Sequence, residues 1–68
     1  MTRFFFGVRG TRHIDDGQGM TFETYLAAFE AAQRLAAELS DKYPDLRGKI
    51  CVEVTPIDRR EAYFVSVH

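Results

Sequence analysis

The sequence predicts an α+β fold, a two-layer β-β-α-β-β domain in which one helix packs on one face of a four-stranded, mainly antiparallel sheet. Three observations lead there. From Phe22 to about Tyr43 apolar residues recur at three- and four-residue steps, the segments on either side alternate apolar with polar residues, and each of those segments has a turn signal at its centre. At 68 residues the chain encloses one core, so residues 1–68 form a single small domain. Its 46% hydrophobic content and net charge of -1 belong to a chain that folds. No apolar run is long enough for a membrane span or a signal-peptide core, which places the expected location in the cytoplasm.

The first hairpin runs from Arg3–Val8 through Arg9-Gly10 to Arg12–Asp15. A three-residue loop with Gly10 in the left-handed conformation groups Phe4, Phe6, Val8 and Ile14 on one apolar face, whereas a two-residue loop would put Ile14 with Phe5. The helix carries Phe22, Tyr25, Phe29, Ala32, Leu35, Ala36, Leu39 and Tyr43 on its inner face, with Glu23, Glu30, Arg34, Glu38, Asp41 and Lys42 opposite. Glu30/Arg34 and Glu38/Lys42 stand in the favourable i,i+4 order. Thr21 can cap the helix start, and Pro44 ends it because the residue before a proline avoids helical geometry. In the second hairpin, Lys49–Thr55 folds back on Ala62–His68 around Ile57–Arg60. That register sets Ile50 opposite Val67, Val52 opposite Val65 and Val54 opposite Tyr63, with Cys51, Glu53, Phe64 and Ser66 on the other face. Numbering strands in sequence order, both 2-1-3-4 and 2-1-4-3 satisfy the rules for connections.

The order Arg3-Phe4-Phe5-Phe6, then Asp15-Asp16 and Gly19 ahead of an Ala-rich amphipathic helix, then Val52-Glu53-Val54, resembles a family of short bacterial proteins found in rhizobia and their relatives, the domain of unknown function numbered 6894. The resemblance covers nearly the whole chain and rests on the order of core and turn positions. The chain departs from that pattern at its last turn, where Ile57-Asp58-Arg59-Arg60-Glu61 lacks the glycine of the family's Asp-x-x-Gly hairpin. The resemblance implies a fold and a lineage, and brings no catalytic residue with it.

Charge is distributed unevenly. Residues 1–14 carry Arg3, Arg9 and Arg12 with no acid, while Asp15–Leu46 is acidic and holds only Arg34 and Lys42 as bases. A pI near 6.0 argues against bulk electrostatic binding to nucleic acid but leaves room for a local basic patch. One cysteine makes neither an internal disulfide nor a Cys-only zinc site. The loop Asp15-Asp16-Gly17-Gln18-Gly19 lacks the glycine and lysine spacing of phosphate-binding loops and the alternating ligands of a calcium loop, so it reads as a connecting turn. Cys51, His13 and His68 show no orienting group between them. No enzyme, cofactor or metal site is expected.

The most informative feature is the sheet face turned away from the helix. Phe5 and Phe64 have no core to enter there, and exposed aromatics of this kind mark interaction surfaces. The sequence therefore points to a small binding protein, self-associating as a homodimer or binding another protein through the open sheet face or an edge strand. Phe5 and Phe64 would be its anchors and Arg3, His13 and Lys49 its rim. The alternative is a module for single-stranded nucleic acid, with Phe5 and Phe64 stacking on bases and Arg3, Arg9, Arg12 and Lys49 following phosphates. A shifted register would instead return the phenylalanines to the core.

Overall fold

In the computed structural model, which describes residues 1–58 and 61–68, the chain forms β1 (Thr2–Gly10), β2 (Met20–Phe22), α1 (Tyr25–Lys42), a 3-10 turn at Pro44–Leu46, β3 (Ile50–Pro56) and β4 (Tyr63–Ser66). The sheet order is β2-β1-β3-β4 and every neighbouring pair is antiparallel. This is one of the two orders that the sequence left open. It puts the first and third strands at the centre, with Phe4 opposite Pro56 and Gly10 opposite Ile50 at the ends of their register.

The second hairpin has the register that alternation predicts. Val52 faces Val65, Val54 faces Tyr63, and the Val67 amide donates to the Ile50 carbonyl at 3.2 Å. Along β3 the residues Ile50, Val52, Val54 and Pro56 are buried and those between them are half-buried, because one face meets the helix and the other does not. The turn expected over Ile57–Arg60 is described only as far as Asp58; Arg59 and Arg60 lie outside the described residues.

Helix α1 meets the sheet through Ala28, Ala32 and Ala36, one turn apart and all buried. Their small side chains let the helix backbone approach the valines of β3 closely, and Leu35 and Leu39 pack against the same core. Ala28, absent from the expected inner face, is fully buried. Phe4 fills the other end of the core, edge-on to Phe22 at 5.8 Å and to Tyr25 at 5.1 Å between ring centroids.

Two expectations for the first half of the chain are corrected. The helix does not start at Phe22 under a Thr21 cap: Thr24 is the cap, its Oγ1 accepting the Ala27 amide at 3.0 Å, and Tyr25 is the first helical residue. Both threonines suit a cap, but capping at Thr21 would take Met20–Phe22 away from β1, where they pair with Phe4–Thr2. The far end follows expectation, Tyr43 before Pro44 being non-helical and donating its amide to Leu39 at 2.8 Å.

The second correction concerns the strand expected at Arg12–Asp15. Only Ile14 pairs there, exchanging two backbone bonds with Val8 at 2.9 and 3.0 Å. The connection is wider than a three-residue loop because the Thr11 amide first bonds the Lys49 carbonyl at 3.1 Å, holding the chain to β3 before it turns back. Gly10 does adopt a positive φ of 118°, which a side chain would strain and which would drive a Cβ into the Lys49 carbonyl. Ile14 is 58% exposed, so it touches the expected apolar face only at its rim.

Candidate functional site

Alternation along the strands puts Arg3, Phe5, Gly7 and Arg9 of β1 on the open face together with Cys51, Glu53 and Thr55 of β3 and Phe64 and Ser66 of β4. Gly7 leaves a gap in this surface, and the Arg9 side chain lies back across it: a Cβ at Gly7 would fall 2.7 Å from Arg9 Nη1. From that position Nη1 donates to the Val8 and Ile14 carbonyls, while Nη2 reaches Asp15 Oδ1 at 3.0 Å and Glu53 Oε1 at 2.8 Å. The centre of the face is thus a half-buried ion pair that also clamps the returning segment at Ile14 and Asp15.

Asp16 completes that clamp. Its carboxylate accepts the Phe6 amide at 3.1 Å and those of Gln18 and Gly19 at 3.0 Å. The Phe6 amide points to the same edge of β1 as that of Val8, between the Ile14 bridge and β2, so Asp16 supplies the acceptor that a missing stretch of strand would have provided. These bonds, that of Gly19 foremost and that of Phe6 next, favour the ionised form and hold the Asp16 carboxyl below the usual carboxylate range. The loop is a connecting turn with its acidic group turned inward onto backbone. Among the described residues no cluster of three or more His, Cys, Asp or Glu side chains is placed to hold a metal ion, and no helix is long and apolar enough to cross a membrane.

The expected anchors share the open face without adjoining. Phe5 is half-buried, its ring against Gly19, where a Cβ would come 2.9 Å from Cε1. Phe64 is 60% exposed. Thr55, opposite Phe5, and Glu53, opposite Phe64, stand between the two rings, so the Arg9–Glu53 pair divides the aromatic surface. Arg3 donates to the Gln18 carbonyl at 2.6 Å and thereby stays with Phe5 and the loop. His13 is exposed with Nε2 3.4 Å from Asp15 Oδ1, and Lys49 is exposed just before β3. Cys51 is a half-buried free thiol in mid-strand.

The residues that sequence reading did not single out lie at the other side of the sheet. β4 is an edge strand, and Tyr63–His68 contains no acid, no Lys or Arg and no proline. Because the Val67 amide points at β3, alternation aims the amides and carbonyls of Phe64 and Ser66 outward. Beside this edge runs the flank of α1 that carries Leu26, Phe29, Gln33, Ala37 and Ser40, none of them charged. Between them lies a groove of about 570 Å³, walled by Phe29, Gln33, Ala37, Ser40 and the charged Asp41 on the helix and by Val65 and Ser66 on the strand. Tyr63 closes one end against Tyr25 and Phe29, at 6.5 and 5.9 Å between ring centroids. At the other end Ser40 Oγ donates to the His68 carbonyl, and Arg47 Nε donates to Ser40 Oγ at 2.9 Å. The spacing of seven from Leu26 to Gln33 to Ser40 is the signal the sequence carries, and it falls between the inner and outer faces of the helix.

No curated protein and no solved structure matches the chain. The family model of the domain of unknown function DUF6894 matches residues 3–68, nearly the whole chain, and the chain therefore belongs to that family.

Proposed function

We propose that this protein works by binding, as a self-associating module whose sheet continues across the β4 edge into a second copy. One observation carries the reading: β4 ends the sheet with a run of strand-forming residues that has none of the charges, prolines or bulges by which exposed edges are ordinarily protected. Phe64 and Ser66 offer a partner strand two outward donors and two outward acceptors, enough to specify an antiparallel pairing. The open face remains part of this reading at its β4 side, since Phe64 lies on both the edge and that face. A chain this small also has a thin stability margin, to which burial between copies would add.

The test is solution mass by light scattering coupled to size exclusion, across concentration and salt, on the wild type and on Ser66→Pro. Proline at 66 removes an outward amide and leaves the bonds to β3 in place. The expected result is a concentration-dependent dimer of the 7.8 kDa chain that Ser66→Pro weakens by about tenfold or more, the equivalent of roughly 1.4 kcal/mol. A wild type that is monomeric at every concentration overturns the reading. Salt-dependent binding of a single-stranded oligonucleotide that flattens in Arg3→Ala and Arg12→Ala would replace it with nucleic-acid recognition.

A further inference from the structure

Resting on that self-association, we infer its geometry: the second copy lays its own α1 antiparallel along this α1, so that Leu26 and Phe29 of each copy enter the groove beside Ala37 and Ser40 of the other. Leu26, Phe29, Gln33, Ala37 and Ser40 repeat at helical spacing along one stripe, the pattern by which helices pack in pairs. The stripe is bulky at its N-terminal end and small at its C-terminal end. A parallel copy would set bulk against bulk and leave a void; an antiparallel copy sets Phe29 against Ala37 and Leu26 against Ser40, twice, about a two-fold axis at Gln33.

The strand supplies an independent reason for the same axis. Pairing the outward groups of Phe64 with those of Ser66 in a second copy makes Val65 its own partner, with the two-fold axis through it. Val65 and Gln33 line the same groove. The symmetry centre of the edge and that of the helix stripe therefore lie on one groove, which neither feature imposes on the other. Charge favours the same occupant. A two-fold contact brings like groups near one another; Glu30 borders the stripe and Asp41 lines the groove, and an axis at Gln33 sets them opposite Ala36 and Tyr25 of the second copy, so neither meets its own like charge. Leu26 is 66% exposed and Ala37 is exposed, so each is free to contact a second copy.

The decisive experiment uses opposite charges at the two ends of the stripe. Leu26→Lys and Ala37→Glu replace exposed side chains, and circular dichroism melts establish that each variant folds. Each alone is expected to raise the dimer dissociation constant by about tenfold or more, and an equimolar mixture is expected to regain a mixed dimer within about threefold of wild type. Unchanged affinity in both single variants, or a mixture that stays monomeric, overturns the antiparallel stripe. A second measurement reads the strand axis: Val65→Cys in a Cys51→Ser background should cross-link under mild oxidation, the self-paired position being about 4.5 Å between Cα atoms and within disulfide reach. Absence of the cross-link in a proven dimer overturns the axis at Val65. These failures differ from failure of the underlying reading, in which the wild type shows no dimer at all.

Discussion

The two edges of the sheet are built on opposite plans. On the β2 side almost every outward group of β1 is engaged: Met20–Phe22 pair with Thr2–Phe4, Ile14 pairs with Val8, and between them the Asp16 carboxylate takes the Phe6 amide. Arg9 and Arg3 then fasten the loop from the open face, onto Ile14, Asp15 and Gln18. On the β4 side the strand Tyr63–Ser66 carries no charged side chain of its own, and among the described residues no further strand pairs with its outer backbone. The difference teaches where the chain spends its polar groups. Irregular backbone and charge complete the outer side of β1 where β2 is too short to do so, and β4 is left regular and without a charge of its own.

That contrast can be broken first at its root. Phe4 supports the closed edge from beneath, holding Phe22 and Tyr25, and is 1% exposed. Phe4→Ala should cost about 3–5 kcal/mol in urea denaturation, enough to unfold a domain whose whole margin is of the same order. Next in size is Asp16→Ala, which orphans the Phe6 amide and two loop amides; about 1–3 kcal/mol should be lost, with faster amide exchange at Phe6. The same group gives a pH signature. Its folded value lies below the unfolded one, so its contribution is present in full above the unfolded carboxylate pKa of about 3.9 and is lost as pH falls through the lower folded value. Stability of the wild type should decline through that acid range more steeply than stability of Asp16→Asn. Smallest in monomer stability is Phe64→Lys at the open edge, expected within about 0.5 kcal/mol of wild type by denaturation. Its effect should appear in association, as a weaker dimer by light scattering.

The closed edge was also the part of the fold least legible in the sequence. The second hairpin could be read to the residue because Ile50, Val52 and Val54 alternate strictly and only one register buries them all. The helix could be read from its period, but not its first turn, since Thr21 and Thr24 are equally good caps and the choice depends on what β1 needs. Met20–Phe22 is three residues long, too short for alternation to register. Arg9–Glu53 joins positions far apart in sequence and exists only once β1 lies beside β3, a neighbour relation that two allowed strand orders left undecided. Of the candidate surface, Phe64 was visible as an apolar residue on a polar face. The helix stripe beside it was not, because Ala37, Gln33 and Ser40 are individually unremarked residue types whose meaning comes from the strand they stand next to.

The placement of β1 between β2 and β3 has a consequence for synthesis. Its longest run of partners, Pro56 back to Ile50, emerges from the ribosome some forty residues after β1 itself, an interval of several seconds at about 5–20 residues per second. Through that interval Phe4, Phe5 and Phe6 wait without the strand that will flank them. The hairpin of β3 and β4 closes locally and late, so the nascent chain acquires its sheet centre and its open edge almost together, and crowding of neighbouring nascent chains during that wait is the natural hazard of this topology.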